Sequence, residues 1–368
     1  MEPSPSDLEL VRGLVAIPSV SGQESRAVGW LVERMRERGY RAGTDEAGNA
    51  VGEIGDGPRH VVLIGHIDTV PGGIPVSVAG GELVGRGAVD AKGALAAFVS
   101  AATEPPPGVR VTVVGAVEEE SPTSAGARHR ARQPAPDWCV VGEPSGWNGV
   151  AIGYKGRLVA EIALERHARH GAAPGPTVAE EALALWGRVA DAARAHAAAR
   201  AFDSLDCRLE GMWTEGDGLA ERARLRVGYR IPPGLGPSLV EAGLREAAAG
   251  ATVAVVAAEE SARSDRTSDL ARAFARSIAA AGGKVTFLLK SGTSDMNVLL
   301  PAWRCPMVAY GPGDSAYDHT PVERLVLADH ARAIAVLRDV LRQAAERPSA
   351  ASIRATPRPR RTATGRPE

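Results

Sequence analysis

Ionisable side chains follow three apolar segments of this sequence at the point where each segment ends. His66 and Asp68 come after HVVLIG, Glu118 to Glu120 after VTVVGAV, and Glu143 after WCVVG. In open sheets of parallel strands, the carboxyl ends of the strands meet at one edge, and ligand sites gather there. One histidine or one acidic turn at such a place is more often an ordinary hydrogen-bonded or solvated residue. The convergence of several predicts a site.

Two further candidates stand in glycine-rich sequence. Asp90 opens a helix in GRGAVDAKG, and His319 lies in the loop GPGDSAYDHTP. Carboxylates gathered in a crevice repel each other and take up protons unless a cation balances their charge. Two imidazoles with several carboxylates and no thiolate suit Zn²⁺, Co²⁺ or Mn²⁺, with Zn²⁺ our first choice. We therefore predict two divalent cations that share a carboxylate and a water, with a spare carboxylate as general base.

The elements that must position these groups alternate along the first part of the chain. Short runs rich in β-branched residues predict buried strands, and longer polar and alanine-rich segments predict helices. This alternation indicates a three-layer α/β domain with a mostly parallel central sheet. The predicted strands cover 49–53, 60–65, 109–117 and 138–141, and the predicted helices cover 6–39, with an N-cap at Ser6 and a break at 18–22, and 90–102.

After about Gly153 the pattern changes to a β-α-β-β-α-β order, which is typical of a ferredoxin-like unit. Its predicted elements are a strand at 157–166, a helix at 177–200, strands at 204–213 and 221–231, a helix at 237–248 and a strand at 251–258. A helix at 267–281, a strand at 284–289 and a helix at 322–345 return to the first domain. We predict a catalytic domain over 1–153 and 260–346, an inserted lid and dimerisation domain over 154–259, and a disordered basic tail over 347–368.

Composition limits the kinds of partner and compartment that we expect for this protein. The formal charge is -1, and no basic stripe with interleaved aromatic residues occurs outside the tail, which argues against nucleic-acid binding. The three cysteines have no metal or disulfide spacing and fit a reducing compartment. The first residues lack the pattern of a signal peptide, and no apolar run reaches membrane length. We expect a cytoplasmic protein with no membrane partner.

Five motifs in order, GHIDTVPG, GRGAVDAKGALAA, VEEE, VGEPS and DHTP, resemble the metallopeptidase and deacylase family of carboxypeptidase G, acetylornithine deacetylase and succinyl-diaminopimelate desuccinylase. The similarity covers nearly the whole chain except the tail. It implies a catalytic domain with an inserted lid, and a homodimer. It also implies that His66 and Glu143 hold one metal, that Glu120 and His319 hold the other, and that Asp90 bridges them.

The same resemblance implies roles for the neighbouring acidic residues. Asp68 would orient the adjacent histidine ligand from outside the coordination sphere. Glu119 would be the general base, and the peptide bond Asp90–Ala91 would be cis. The acidic triplet leaves two registers open. Either Glu119 is the base and Glu120 the ligand, which we favour, or Glu118 and Glu119 take these parts.

The segment HARHGAAPG resembles the family's histidine loop before a proline, whose histidine reaches across a dimer to the oxyanion. The resemblance favours His170, with His167 as the alternative. Arg169 precedes His170 where the family usually has serine. Without the resemblance, both histidines read as surface residues.

The segments GYKGRL and KSGTSDMN most resemble the branch that releases lysine or ornithine from the C-terminal glutamate of the small acidic carrier protein LysW. Asn297 stands where the desuccinylase branch has an arginine, and its neutral amide cannot form a bidentate carboxylate fork. The candidate substrate-binding residues are Arg230, Ser291, Thr293 and Asn297, and the candidate contacts to an acidic carrier are Lys155, Arg157 and Lys290.

The first hypothesis is thus a di-metal hydrolase of LysW-γ-lysine or LysW-γ-ornithine in lysine or arginine biosynthesis. The alternative within the family is an N-acyl amino acid deacylase, such as an acetylornithine deacetylase. The alternative from another class is a binding protein that keeps the fold without the metals. Intact candidates for every ligand and for the base argue against it.

Overall fold

The computed structural model describes residues 2–346, and the predicted basic tail lies outside the described residues. The helices are α1 (Pro5–Val15), α2 (Ser25–Glu37), α3 (Lys92–Ala101), α4 (Ala125–Ala131), α5 (Val178–Arg194), α6 (Pro237–Ala247), α7 (Asp269–Ala280), α8 (Asp295–Trp303) and α9 (Leu327–Ala345). The strands are β1 (Arg41–Thr44), β2 (Ala50–Ile54), β3 (Arg59–His66), β4 (Ser77–Ala79), β5 (Glu82–Val84), β6 (Val109–Ala116), β7 (Trp138–Gly142), β8 (Gly149–Tyr154), β9 (Gly156–His167), β10 (Asp206–Gly216), β11 (Ala220–Ile231), β12 (Thr252–Glu259), β13 (Ala262–Arg263), β14 (Thr286–Lys290), β15 (Met307–Ala309) and β16 (Arg324–Val326).

The main sheet has the order β1-β2-β6-β3-β7-β15-β8-β13, with β14 paired to β8. Its centre is parallel, because β3 pairs in parallel with β6 and β7, and β7 with β15. Alternate residues of β3 face opposite sides, as the pleat requires. Val61 and Leu63 pack with α1, α2, α3, α7 and α9, whereas Val62 and Ile64 pack with α4 and α8. These three layers confirm the predicted fold class.

Burial on both faces explains why the central strands are continuous apolar runs. Their register brings the ends of three strands to one edge. His66 at the end of β3 lies opposite Ala116 at the end of β6, and Gly65 lies opposite Gly142 at the end of β7. The loops that carry the predicted site residues therefore begin side by side.

Residues 156–259 form a second unit with its own sheet, which we call the inserted unit. The strand order is β10-β11-β9-β12, and every neighbouring pair is antiparallel. Helices α5 and α6 pack on this sheet around a separate apolar core that includes Leu185, Leu225 and Leu244. The predicted ferredoxin-like order is confirmed.

Several predicted bounds were wrong. The break predicted at 18–22 is confirmed, because α1 ends at Val15 and α2 begins at Ser25. The N-cap of α1, however, is Ser4 rather than Ser6, because the Ser4 hydroxyl accepts from the Asp7 backbone N–H at 3.2 Å and Pro5 takes the first helical position. The helix predicted to reach residue 200 ends at Arg194. The last helix begins at Leu327, because the residues before it form β16 against β5.

The described part of the chain, residues 2–346, holds no helix with both the length and the apolar character needed to cross a bilayer.

Candidate active site

A cavity of about 490 Å³ opens at the carboxyl edge of the central strands, between the main sheet and the inserted unit. Loops of the main sheet bring acidic and imidazole groups to it, and the inserted unit brings arginines. The lining residues that bear on function are Asp90, Glu119, Glu120, Glu143, Tyr154, Arg157, Arg230, Lys290, Ser291, Thr293, Asp318 and His319.

His66 lies buried at the end of β3 and faces Asp90. Its Nδ1 is 2.9 Å from the backbone oxygen of Asp68, and its Nε2 is 3.1 Å from Asp90 Oδ1. Burial alone would lower the pKa of His66, but hydrogen bonds to Asp68 and Asp90 raise it well above its usual value. When Nδ1–H donates to the carbonyl, the Nε2 lone pair of the neutral ring faces a carboxylate oxygen. Only a proton or a cation between these atoms makes that contact favourable.

Asp90 lies between the two imidazoles and offers one oxygen to each. His319 Nε2 is 3.1 Å from Asp90 Oδ2 and 2.8 Å from Glu120 Oε1. Burial raises the pKa of Asp90, but hydrogen bonds from His319 and His66 bring it below its usual value. The same contacts to Asp90 and Glu120 raise the pKa of His319 to about 10. Ligand atoms of His66, Asp90 and Glu120 lie within 4.8 Å of one another, which is the spacing of a metal site.

The three glutamates after β6 do not all lie at the cavity. Glu119 and Glu120 line the cavity, and their backbone N–H groups donate to the two oxygens of Asp68 at 3.1 and 3.0 Å. Glu118 has a positive φ of 59°, and its carboxylate accepts a hydrogen bond from the Thr123 hydroxyl. Of the two registers, this geometry fits the one with Glu119 and Glu120 at the site.

Burial and neighbouring carboxylates disfavour the ionised forms of two carboxyl groups at the cavity, Glu119 and Glu143. Burial, Asp295, Glu120 and Asp90 raise the pKa of Glu119 well above its usual value. Burial, Glu119 and Asp90 do the same to the pKa of Glu143. Both shifts favour the protonated form of these groups. Such a donor set fits divalent cations, because positive charge stabilises the ionised carboxylates. The Asp90–Ala91 peptide bond is cis, as the resemblance implies.

Sequence reasoning missed three residues at or beneath the cavity. Tyr154 ends β8, a strand that was not predicted, and its side chain lines the cavity. Asp318 also lines it, and burial and Asp90 raise its pKa to about 8. Asp295 lies buried, neither of its oxygens has a hydrogen-bond partner among the described residues, and burial raises its pKa to about 7. Both aspartates stood inside motifs already singled out, SGTSD and DHTP, and adjacency to those motifs was the available signal.

Two predicted substrate contacts do not lie where the sequence placed them. Asn297 is buried and does not line the cavity. Its amide oxygen accepts from the Ser294 N–H, and its nitrogen donates to the backbone oxygens of Lys155 and Glu260. Lys155 is fully buried, and its Nζ donates to Ser204 O and Asp206 Oδ2, each at 2.7 Å. Neither side chain is free for a ligand.

Of the other predicted site residues, the substrate and carrier contacts line the cavity and the two loop histidines do not. Arg230 lines the cavity, and its Nη1 donates to Thr293 Oγ1 at 3.2 Å. Arg157, Lys290 and Ser291 also line it. His167 and His170 are exposed residues of the inserted unit, and the Nδ1 of His170 accepts from the Ala172 N–H at 3.1 Å. Within one chain, neither histidine lines the cavity.

A three-layer domain with an inserted ferredoxin-like unit, and an acidic and imidazole cavity between them, defines the class of two-domain metal-dependent peptidases. Residues 62–343 match the sequence model of the family described as Peptidase family M20/M25/M40, and the chain belongs to that family. It is therefore a hydrolase that acts on amide bonds, in a family that is metal-dependent.

Relatives and solved structures agree with this assignment. The chain is 46% identical over 345 residues to a LysW-lysine hydrolase of Deinococcus radiodurans, covering 90% of this chain and 95% of that protein. It is 38% identical to a protein of Thermococcus kodakarensis provisionally named LysW-lysine/LysW-ornithine hydrolase, covering 92% of each. A tripeptidase of Staphylococcus aureus shares the fold with a TM-score of 0.77 at 18% identity, covering 94% of this chain and all of that one.

Proposed function

We propose that this protein hydrolyses the amide between lysine or ornithine and the γ-carboxyl of the C-terminal glutamate of a LysW-like carrier protein. The observation that carries the proposal is the 46% identity over 90% of the chain to a LysW-lysine hydrolase. At that coverage, both the cavity and the inserted unit fall within the similar region. The chain would act in lysine or arginine biosynthesis.

We infer that two cations bind between the histidines. His66 and Glu143 would hold one, Glu120 and His319 the other, and Asp90 both. The inference is supported by the contacts of each Asp90 oxygen with a different imidazole. Zn²⁺ ranks first for a donor set of nitrogen and carboxylate oxygen, ahead of Co²⁺ and Mn²⁺. When bound, such ions polarise the scissile carbonyl and make water a better nucleophile at neutral pH.

Glu119 is the proposed general base. Its carboxyl lines the cavity, and its own backbone N–H is held by Asp68, so the side chain begins from a fixed point. Burial raises its pKa, which suits a group that must take a proton from the attacking water and return it to the leaving amine. Asp68 thereby positions both the base and the His66 ring.

Cationic side chains that line the cavity suit the carboxylates of the substrate. Arg230, Arg157 and Lys290 line it, together with Ser291 and Thr293. We propose that these groups bind the carboxylates of the carrier's terminal glutamate and of the released amino acid. Guanidinium groups are well matched to carboxylates in geometry and charge. Asn297 and Lys155 are not included, because both side chains are buried and hydrogen-bonded within the protein.

The organisation of the molecule follows the same proposal. We propose a catalytic domain over 1–153 and 260–346 and a lid over 154–259, supported by the separate apolar cores of the two parts. A homodimer in the cytoplasm stays a prediction. So does the part of His170 in stabilising the oxyanion, because that histidine would have to come from a second copy of the chain.

The decisive experiment compares two substrate classes on one enzyme. Purified protein is incubated with a LysW-type carrier bearing γ-linked lysine or ornithine, and separately with N-acetylornithine, each with and without a chelator. We expect the carrier conjugates to be cleaved with a kcat/KM more than about 100-fold higher, and the chelator to abolish cleavage. A preference for N-acetylornithine would replace the proposal with the deacylase alternative.

A further inference from the structure

An ion pair between a fully buried carboxylate and a largely buried guanidinium lies next to the proposed metal ligands. Arg86 Nη1 is 2.8 Å from Glu323 Oε2, and the two side chains are 13% and 1% exposed. Neither residue lines the cavity. Two buried charges are costly to remove from water, so each depends on the other and on further hydrogen bonds. Those further bonds lead to the site.

Glu323 holds the backbone from which Asp90 projects. Its second oxygen, Oε1, accepts from the Val89 N–H at 2.9 Å and from the Asp90 N–H at 3.1 Å. A charged acceptor makes both of these bonds stronger than a neutral one would. The carboxylate therefore fixes where the Asp90 side chain begins.

Arg86 holds the loop that carries His319. The same Nη1 donates to the backbone oxygen of Thr320, the next residue, at 3.2 Å, and Nε donates to Gly72 O at 3.0 Å. His319 itself has a φ of 59°, in the left-handed region that non-glycine residues occupy only where their surroundings hold them. The guanidinium is one of those surroundings.

We propose that Arg86 and Glu323 form a positioning pair that fixes the distance between the Asp90 carboxylate and the His319 imidazole, and so sets the affinity of the cation bound between them. The inference rests on the proposed function, because it takes Asp90 and His319 as ligands. One hydrogen-bonded path runs from the Asp90 N–H through Glu323 and Arg86 to the Thr320 oxygen. Two ligands that are far apart in the sequence are thereby fixed relative to each other.

The test measures metal binding rather than activity alone. Apo protein is titrated with Co²⁺, and the two binding steps are followed by visible absorption. The variants are Glu323→Gln, which keeps the size but removes the charge facing Arg86, and Arg86→Lys, which keeps a charge but loses the planar donor fork. We expect one of the two Co²⁺ equivalents to bind about 10- to 100-fold more weakly in both variants, and the other to change less.

Glu82→Gln is the matched control. It makes the same chemical change on neighbouring strand β5, at a carboxylate that is 40% exposed and pairs with Arg324 at 3.3 Å. Both Co²⁺ affinities should equal those of the wild type. In the two test variants, excess Co²⁺ should restore kcat with KM unchanged, which a general loss of structure would not allow.

The outcomes separate the two claims. Thermal unfolding in chelator checks that each variant folds, and if Glu323→Gln does not fold, Arg86→Lys decides. A folded variant with both Co²⁺ affinities unchanged overturns the positioning pair and leaves the proposed function intact. A wild-type protein that binds fewer than two equivalents of Co²⁺, or does not cleave a carrier conjugate, overturns the proposed function instead.

Discussion

Each of three consecutive glutamates after β6 has a different environment, which makes them separable by substitution. Glu119 and Glu120 line the cavity, whereas the Glu118 carboxylate is bonded to Thr123. We predict that Glu119→Gln lowers kcat by about 10²- to 10⁴-fold without loss of bound metal, because an amide cannot accept the proton of the attacking water. Steady-state kinetics and elemental analysis measure the two effects.

Glu118→Gln is the control for this prediction and should keep kcat within a few-fold of the wild type. If Glu119→Gln instead loses metal along with activity, Glu119 is a ligand. The alternative register, with Glu118 as base, would then be the correct one.

A second residue, His330, makes stability depend on pH away from the site. It is fully buried in α9, and burial lowers its pKa from 6.5 to about 4, although Asp7 opposes the shift. The unfolded chain therefore binds a proton at His330 more readily than the folded chain does. As a result, His330 has little effect on the free energy of unfolding above pH 6.5 and lowers it as pH falls towards 4. Between pH 7.5 and 5 we expect a loss of roughly 2 kcal/mol from this residue.

Urea unfolding of the wild type and of His330→Gln at both pH values tests this. The free energy of unfolding should fall less for the variant over that interval, by about the same 2 kcal/mol. Equal pH dependence in the two proteins would show that His330 is protonated to the same extent in the folded and unfolded states. Comparison with the wild type cancels the other titrating groups.

At the scale of elements, α8 joins the two parts of the molecule. Its Asn297 completes a capping box with Ser294, and the Asn297 nitrogen donates to Lys155 O and Glu260 O, which lie where the chain enters and leaves the inserted unit. We predict that Asn297→Ala lowers the free energy of unfolding by about 2 kcal/mol, because buried backbone acceptors lose their donor. KM should change little.

Ser268→Ala serves as the control for that variant. Ser268 caps α7 through a bond to the Ala271 N–H, so its loss should cost only about 1 kcal/mol. A large rise in KM for Asn297→Ala with unchanged stability would return Asn297 to the substrate site, where the sequence had placed it.

The same elements show what the sequence could and could not predict. Strands β3, β6 and β7 are buried on both faces, so their apolar runs and the polar residues that end them were readable. Strand β15 has only three residues, β8 contains Gly149 and Gly153, and α8 contains Pro301, so none of the three shows a clear strand or helix signal. Tyr154 was missed with β8. Lys155 looked exposed because its partner, Asp206, lies 51 residues away and meets it only in the folded chain.

At the scale of the whole molecule, a formal charge of -1 conceals a local excess of arginine. A second cavity of about 380 Å³ shares Arg157 and Arg230 with the first and adds Arg208, although Asp206 and Glu210 also line it. Mutual repulsion with Arg157 and Arg208 contributes, after burial, to a lowered pKa of Arg230. An acidic carrier would relieve that repulsion, whereas a small neutral amide would not.

Salt should therefore lower kcat/KM more for a carrier conjugate than for a small substrate. Between about 0.05 and 0.5 M NaCl, we expect kcat/KM for the carrier conjugate to fall roughly tenfold, mostly through KM, because ions screen the attraction. Arg208→Gln should weaken that dependence. Arg224→Gln, which removes an exposed charge beside Trp213 and Glu215, should leave it as in the wild type. Equal salt sensitivity for a small N-acyl amino acid would mean that the arginines act on the common catalytic step, and that the carrier is held elsewhere.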